Sequence, residues 1–240
     1  MNCILLPKNA KIISDPQQVT HIKKVLKSKV GDSLTIGEIG GNIGKATIAG
    51  INNNEVLLSD ITLDKKPPAK LDLTVILALP RPKVLRRLIM DMTSLGVNKL
   101  IIVNSYRSQK SYWQSPLLDR IDEFVFEGLQ QAIDTVTPVI EFKKRFKPFV
   151  EDEFPELLKE GRKMQGNAVI AHPYASQSWK TYLDSKECMP KVLCIGAEGG
   201  WIDYEVDLLC KHGCTSVSLG QRILRTETVV NVLLGHWLKG

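Results

Sequence analysis

From residue 71 onward, short continuous apolar runs alternate with segments of helical period, and this alternation limits the possible folds more than any other feature. The apolar runs lie at residues 73–79, 100–103, 168–171, 192–195 and 216–219. Apolar stripes recur at helical spacing between them, first at Val84, Leu85, Leu88, Ile89, Met92 and Leu95, then at Leu117, Ile121, Phe124, Val125, Gly128 and Ala132. Such a pattern predicts an α/β domain whose parallel sheet is covered on both faces.

Three of these runs continue into loops at residues 171–174, 196–201 and 219–228. Ligands of parallel sheets bind at the carboxyl ends of the strands, so we expect the three loops to form one pocket. The second loop reads G-A-E-G-G, which is neither G-x-G-x-x-G nor a nucleotide phosphate loop. Its glycines let a ligand approach bare backbone. Taken alone, the loop is equally compatible with a tight turn that binds nothing.

The third loop holds two arginines, Arg222 and Arg225. One guanidinium is suited to gripping a phosphate and the other to stabilising a developing anion. The alternative is that both are surface charges or partners of Glu227 and Asp203. The charges alone do not choose between these interpretations.

The first 63 residues have a different pattern of apolar residues and glycines. Short strand-like runs at 33–36, 46–48 and 55–58 are punctuated by glycines, as in a small antiparallel barrel or sheet. Apolar residues at helical spacing predict one helix over 16–28. Residues 64–71 are charged and contain two consecutive prolines, which predicts a linker. We therefore expect two domains, at residues 1–66 and 67–240.

Composition narrows the class of protein. The net charge of +6 fits a polyanionic partner but does not establish one. Five cysteines at irregular spacing favour a reduced, cytoplasmic protein over a disulfide scaffold. No segment reaches the roughly 18 apolar residues of a membrane span, so no membrane partner is expected. The spacing of Cys210, His212 and Cys214 is no standard zinc signature, so no metal is expected.

Several motifs together resemble one enzyme family. Residues 219–228 match L-G-x-R-I-L-R-T-E-T letter for letter, and residues 195–200 match I-G-P-E-G-G with Ala197 in place of proline. His172-Pro173 follows a strand, and residues 21–32 approximate H-x-x-x-V-L-R-x-x-x-G-D with lysine for arginine. In these motifs the chain resembles the RsmE family of the SPOUT methyltransferases, which methylate N3 of a uridine in small-subunit (16S) ribosomal RNA.

The resemblance implies an architecture and a cofactor. Members have an N-terminal PUA-like β-barrel that binds RNA and a C-terminal SPOUT domain with a deep trefoil knot, and they work as homodimers. They bind S-adenosyl-L-methionine in the knot. The cofactor contacts carried over to this chain are His172, Pro173, Gly196, Glu198, Gly199, Gly200, Leu219, Gly220, Ile223 and Leu224.

The reaction itself suggests catalytic roles. N3 of uracil must lose or share its proton, and the resulting oxyanion must be stabilised. Arg225 is predicted to stabilise that oxyanion, because a fixed cation in a dry pocket needs no reorganisation. Glu227 or Glu198 would act as general base, or would only orient Arg225.

Basic residues outside the loops are candidate RNA contacts. Phosphate contacts of this kind make binding strongly dependent on salt. A solvated surface is the alternative for each single residue, and Arg87 and Asp91 could simply form an i, i+4 pair. The predicted contacts are Lys23, Lys24, Lys27, Arg81, Arg86, Arg87 and Arg222.

Four positions depart from the family pattern: Asp91, Ser94, Gln130 and Asp134 stand where relatives carry lysine, glutamate, glutamate and arginine, in that order. If those charges form one network in relatives, it has been replaced as a set here. The departures suggest an altered RNA target. They also leave open a non-catalytic RNA-binding paralogue. An unrelated dehydrogenase is disfavoured by the missing G-x-G-x-x-G.

Overall fold

The computed structural model describes residues 1–160, 168–185 and 188–238. Two compact units are present, one formed by Met1–Ala69 with Asp122–Thr137 and the other by Lys70–Ile121 with Pro138–Gly240. The domain division at residue 66 stays a prediction. In chain order the described strands are β1 (Ile4–Leu6), β2 (Ile12–Ile13), β3 (Ser33–Glu38), β4 (Ile43–Ile51), β5 (Val56–Lys65), β6 (Leu71–Ala78), β7 (Val97–Val103), β8 (Val139–Lys143), β9 (Ala168–Ala171), β10 (Val192–Ile195) and β11 (Cys214–Val217).

Short helical segments connect these strands. The α-helices are α1 (Pro16–Thr20), α2 (Pro82–Ser94), α3 (Ile121–Ala132), α4 (Phe146–Pro148), α5 (Phe154–Glu160), α6 (Trp179–Asp184), α7 (Asp203–Lys211) and α8 (Thr226–Leu234). π-Helical turns follow α1 at His21–Val25 and α4 at Phe149–Glu153, and 3₁₀ turns lie at Lys110–Gln114, Pro116–Arg120 and Gly235–Trp237.

The sheet of the first unit has the strand order β1-β3-β4-β5-β2. Its pairings are antiparallel except for the parallel pair β1–β3. One apolar cluster fills its inner face, with Ile22, Ile36, Ile48 and Val56 fully buried. Gly44 is required in β4 because a Cβ there would overlap the carbonyl oxygen of Thr62 on β5.

The predicted helix over 16–28 is shorter than expected. Asp15 caps α1 by accepting a hydrogen bond from the Gln18 amide at 2.8 Å, and Pro16 occupies the first helical position, where its missing N–H costs nothing. The helical path ends at Val25, and Val25 and Leu26 are 65% and 47% exposed. Only the first half of the predicted apolar stripe is buried.

Residues 122–137 pack with the first unit through backbone contacts. The Gln130 carbonyl accepts hydrogen bonds from the amides of Asn2 at 2.9 Å and Cys3 at 3.0 Å. Asp134, which is 3% exposed, accepts from the amides of Thr135 and Val136. Gln130 and Asp134, two of the positions that depart from the family pattern, are therefore buried structural residues of this unit.

The sheet of the second unit has the order β11-β9-β10-β6-β7-β8, with every pairing parallel, which confirms the predicted class. Along β6 the successive side chains Val75, Ile76 and Leu77 are all fully buried, because helices cover both faces. The edge strand β8 was not predicted. Its sequence V-I-E-F-K mixes apolar and charged residues, and all five are at least partly exposed.

Helices α2 and α8 contact one another on one face of this sheet. Leu85, Leu88, Ile89 and Met92 of α2 are buried, as its stripe predicts. In α8, Val230, Leu233 and Leu234 are fully buried, whereas Val232 is 46% exposed.

All five cysteines are free thiols. Cys194 in β10 is fully buried, with its Sγ 3.8 Å from that of Cys214. Within the described ranges, no helix combines the length and apolar character that crossing a bilayer requires. The same ranges hold no cluster of three or more side chains arranged to bind a metal ion.

Candidate active site

The loops that leave β9, β10 and β11 surround a cavity of about 180 Å³ at the carboxyl ends of these strands. Most of its wall comes from the three predicted loops, at residues 171–174, 196–201 and 219–228. Arg107 from the loop after β7, Ile195 and Val217 at the ends of β10 and β11, and Val229 of α8 complete it. The predicted convergence of the three loops is confirmed.

The glycine loop is a compact turn rather than an extended strap. The Gly200 amide donates to the Ala197 carbonyl at 2.8 Å, and Gly200 has a φ of 69°, which favours glycine. A Cβ on Gly196 would lie 3.0 Å from the Gly200 Cα. Thr226 at the start of α8 donates to the Gly196 carbonyl at 3.2 Å. These contacts fix the path of the loop beside the cavity.

Two neighbouring loops hold the outer side of this turn. The Arg81 amide donates to a carboxylate oxygen of Glu198 at 3.1 Å, and the Arg107 guanidinium donates to the Gly199 carbonyl. Behind the turn, the carboxylate of Glu205 accepts from the amides of Tyr106 at 2.8 Å and Ile202 at 3.0 Å. Glu205 is 2% exposed, so these two amide donors replace the hydrogen bonds that water would make to its carboxylate.

Of the residues predicted to hold the cofactor, all but Gly220 line the cavity. Gly220 has a φ of 104° and open space at its Cβ position, so it shapes the turn of the third loop. The His172 amide donates to the Val217 carbonyl at 2.9 Å, while its buried Nδ1 has no partner among the described residues. Trp201 also lines the cavity, and its buried Nε1 likewise lacks a described partner.

The two predicted catalytic residues lie next to the lining residues but are not themselves part of the wall. Arg225 is the N-cap residue of α8 and is exposed. Its carbonyl accepts from the Val229 amide at 2.9 Å, whereas its guanidinium has no hydrogen bond or ion pair to any residue that the structure describes. Glu227 accepts from the Arg87 guanidinium at 2.8 Å. The ion pair of Glu227 is thus with Arg87, not with Arg225.

The predicted RNA contacts have varied surroundings. Lys23 donates to Asn53 at 2.9 Å within the first unit, whereas Lys24 and Lys27 are exposed. In the second unit Arg81 and Arg86 are exposed, and Arg222 lines the cavity.

Arg87 does not form the suggested pair with Asp91, since its guanidinium contacts Glu227. Asp91 instead accepts from Asn231 of α8 at 3.3 Å.

Sequence reasoning placed Trp201 and Thr226 in the predicted pocket loops without naming them as contacts, and it did not assign Arg107 or Val229 to the cavity wall. A signal existed for Trp201 and Thr226, because they stand inside or beside the matched motifs. Arg107 follows a strand at the same edge of the sheet, but nothing in its local sequence indicates a contact with the glycine loop.

The wall fits a nucleoside cofactor that carries a sulfonium group. Pro173, Leu219 and Leu224 give it apolar surface, and the glycine loop presents backbone groups for hydrogen bonds. Such a combination of a few polar groups with apolar walls is typical of sites for cofactors of this size.

Comparison with known proteins identifies the family. The family model described as RNA methyltransferase domain matches residues 67–238, and the model described as RNA methyltransferase PUA domain matches residues 13–61. Ribosomal RNA small subunit methyltransferase E of Treponema pallidum is 29% identical over 87% of this chain and 77% of its own length. Its counterpart in Synechocystis is 28% identical over 91% and 70%.

Solved structures have the same fold. Ribosomal RNA small subunit methyltransferase E of Neisseria gonorrhoeae, bound to S-adenosyl methionine, superposes with a TM-score of 0.72 at 20% identity, covering 98% of this chain and 96% of that one. A methyltransferase of Legionella pneumophila with bound cofactor SAM gives 0.73 at 21% identity, with the same coverage. The first family model spans well over half of the sequence, so the chain belongs to the RNA methyltransferase family, and the RsmE resemblance of its motifs is confirmed.

Proposed function

We propose that this protein transfers a methyl group from S-adenosyl-L-methionine to N3 of a uridine in 16S ribosomal RNA. The observation that carries the proposal is the cavity formed by the three motif-bearing loops at one edge of the parallel sheet. The relatives named ribosomal RNA small subunit methyltransferase E support the choice of substrate.

The cofactor would be held by the loops at 171–174, 196–201 and 219–224, whose apolar side chains and backbone groups suit it. When bound, it supplies an activated methyl group, so the chain itself needs no nucleophile. The work left to the protein is to place the uracil ring, exclude water and manage the N3 proton.

Arg225 is suited to stabilising the anion that forms as N3 loses its proton. Its guanidinium has no partner among the described residues, so its charge is available to a ligand. Glu227 is held by Arg87 at 2.8 Å, which favours a positioning role over that of general base. We expect Glu227→Gln to lower kcat by less than the ~100-fold that removing a general base costs. A larger loss with a displaced pH profile would restore the base role.

The proposal includes RNA binding by the first unit, because residues 13–61 match a PUA domain. It also includes a trefoil knot, a homodimer and a cytoplasmic location. The trefoil knot is supported by the strand order in which β9 lies between β10 and β11. A homodimer is supported by the half-exposed Val232 on α8 and the similarly exposed Leu238 after it. A cytoplasmic location agrees with five free thiols.

An altered target is the second candidate. Asp91 contacts Asn231, and Gln130 and Asp134 are buried in the first unit, so the departing positions have acquired structural partners of their own. If relatives use charges there to place uridine, this chain must place its base by other groups. A paralogue that binds RNA without transferring methyl is the limiting case.

One series of experiments separates these functions. Calorimetry with S-adenosylmethionine tests the cavity. Transfer of labelled methyl to bare 16S RNA and to assembled small subunits tests activity, and mass mapping locates the modified nucleotide. We expect incorporation at N3 of one uridine. Incorporation elsewhere supports the altered target, and donor binding with no incorporation on either substrate supports the non-catalytic paralogue.

A further inference from the structure

One side chain of the cavity wall has no role in the reaction described so far. Arg107 comes from the loop after β7, outside the three motif loops, yet it lines the cavity and donates a hydrogen bond to the Gly199 carbonyl. Arg107 is exposed, so burial in the core does not account for its ordered position. Its hydrogen bond to the glycine loop therefore requires its own explanation.

The stem of Arg107 also packs directly on the glycine loop. A Cβ added to Gly199 would lie 2.9 Å from the Arg107 Cδ and 3.1 Å from its Cβ, and its three nearest atoms all belong to Arg107. Gly199 does not have a positive φ, so the backbone itself would accept a side chain. The absence of a side chain at Gly199 thus makes room for Arg107.

The backbone on either side of Arg107 is anchored. The Tyr106 amide is bonded to the buried carboxylate of Glu205 at 2.8 Å. Ser108 Oγ donates to the Leu79 carbonyl, just after β6, at 2.7 Å. Because the loop is already fixed, Arg107 can hold Gly199 with little further loss of conformational entropy.

We propose that Arg107 is a positioning residue for the methyl-donor site: it holds the Gly199 peptide in place and so keeps the cavity in its binding shape. The inference rests on the proposed function, since it assumes that the cavity receives S-adenosylmethionine. It assigns Arg107 to the donor site rather than to the RNA surface, although its positive charge alone would suit either.

The first test separates the hydrogen bond of Arg107 from its packing. Arg107→Met keeps much of the apolar stem and removes the donor, and Arg107→Lys restores one donor. Removing a hydrogen bond from a charged group corresponds to about tenfold in affinity. We expect the calorimetric Kd for S-adenosylmethionine to rise by that factor in Arg107→Met and by less in Arg107→Lys. At saturating donor, kcat should fall by a smaller factor than the Kd rises. Lys110→Met, a neighbouring exposed cation, is the control.

The second test uses the packing between Arg107 and Gly199. Gly199→Ala should weaken donor binding in the wild-type background, where the new methyl group meets the arginine stem. In the Arg107→Ala background, where only the 3.1 Å approach to the Cβ remains, the further weakening should be smaller. Equal weakening in both backgrounds would overturn the inference, as would RNA affinity that falls in Arg107→Met with unchanged donor affinity. A wild-type chain that binds no donor would overturn the proposed function itself, which calorimetry on that chain alone reveals.

Discussion

The second compact unit carries all nine arginines of the chain, and its 23 lysines and arginines outnumber 16 aspartates and glutamates. The first unit has nine lysines against ten acidic residues, and its segment 1–69 contains no Phe, Trp or Tyr. The segment that matches a PUA domain therefore offers no Phe, Trp or Tyr ring on which bases could stack, and its unit has no net positive charge.

The difference indicates how RNA recognition is divided. Long-range attraction to a polyanion must come mainly from the second unit, because attraction follows net charge. We expect the first unit to contribute local contacts, such as the predicted ones of Lys24 and Lys27, and recognition of shape. The donor cavity lies in the second unit as well, beside Arg107 and Arg222.

The strongest test unfolds the first unit selectively. Gly44→Ala would drive a methyl group into the Thr62 carbonyl oxygen, which cannot move without breaking the β4–β5 pairing. We expect a decrease of about 4 kcal/mol in the free energy of unfolding, measured by urea denaturation. Gly50→Ala is the matched control, since its Cβ would meet Leu57 at an ordinary 3.7 Å. Donor binding that disappears with the β4–β5 pairing would contradict the assignment of that site to the second unit alone.

The corresponding change in the second unit is Gly196→Ala. The new methyl group would lie 3.0 Å from Gly200 and 3.1 Å from the Trp201 amide, so the turn must open. Overpacking of this kind costs roughly 1–3 kcal/mol, and we expect the Kd for S-adenosylmethionine to rise about tenfold or more. Gly235→Ala, at a position with no neighbour within 4 Å of its Cβ, should bind the donor like the wild-type chain.

Salt dependence compares the two units directly. Neutralising Arg81 and Arg86 in the second unit should lower the slope of log K against log salt for RNA binding by about 1.4, at roughly 0.7 for each RNA phosphate that the protein no longer neutralises. Neutralising Lys24 and Lys27 in the first unit should lower it less. Filter binding between low and moderate salt measures both slopes. Equal slopes for the two double variants would remove the electrostatic distinction between the units.

The smallest effect concerns a thiol of the first unit. Burial raises the pKa of Cys3 from 9.0 to about 11. Between these values the unfolded chain releases a proton that the folded chain keeps, so stability should fall as pH rises through this window. Cys3→Ala should reduce that fall in urea denaturation between the two pKa values, and the exposed Cys188→Ala is the control. A parallel pH dependence in wild type and Cys3→Ala would show that Cys3 is not the cause.

The sequence was sufficient to predict an element where a local pattern is compatible with only one structural environment. The strands β6, β7, β9 and β10 were predictable because continuous apolar runs of roughly four to eight residues have few other uses. The edge strand β8 could not be predicted in this way, because its apolar residues are interrupted by Glu141 and followed by Lys143. Val25 and Leu26 continue the apolar stripe of the first helix but are exposed. Helical spacing shows that residues share one face of a helix, but it does not show whether another element covers that face.

The site was predictable to the same extent. Its three loops could be found because each directly follows an apolar strand and carries a specific motif. The contact of Arg107 with Gly199 and the bridging carboxylate of Glu205 could not be predicted, because both depend on which loops become neighbours in space. The packing of residues 122–137 with the first unit was hidden for the same reason, because its hydrogen bonds with Asn2 and Gly41 join positions far apart in the sequence.

The position of the cavity in the chain has a consequence for biosynthesis. Its walls extend from Arg107 to Val229, so the donor site cannot form until the chain has left the ribosome as far as Val229. The first unit needs only the residues up to Thr137 and can be completed much earlier. A nascent chain would thus have its PUA-like unit well before it is able to bind a methyl donor.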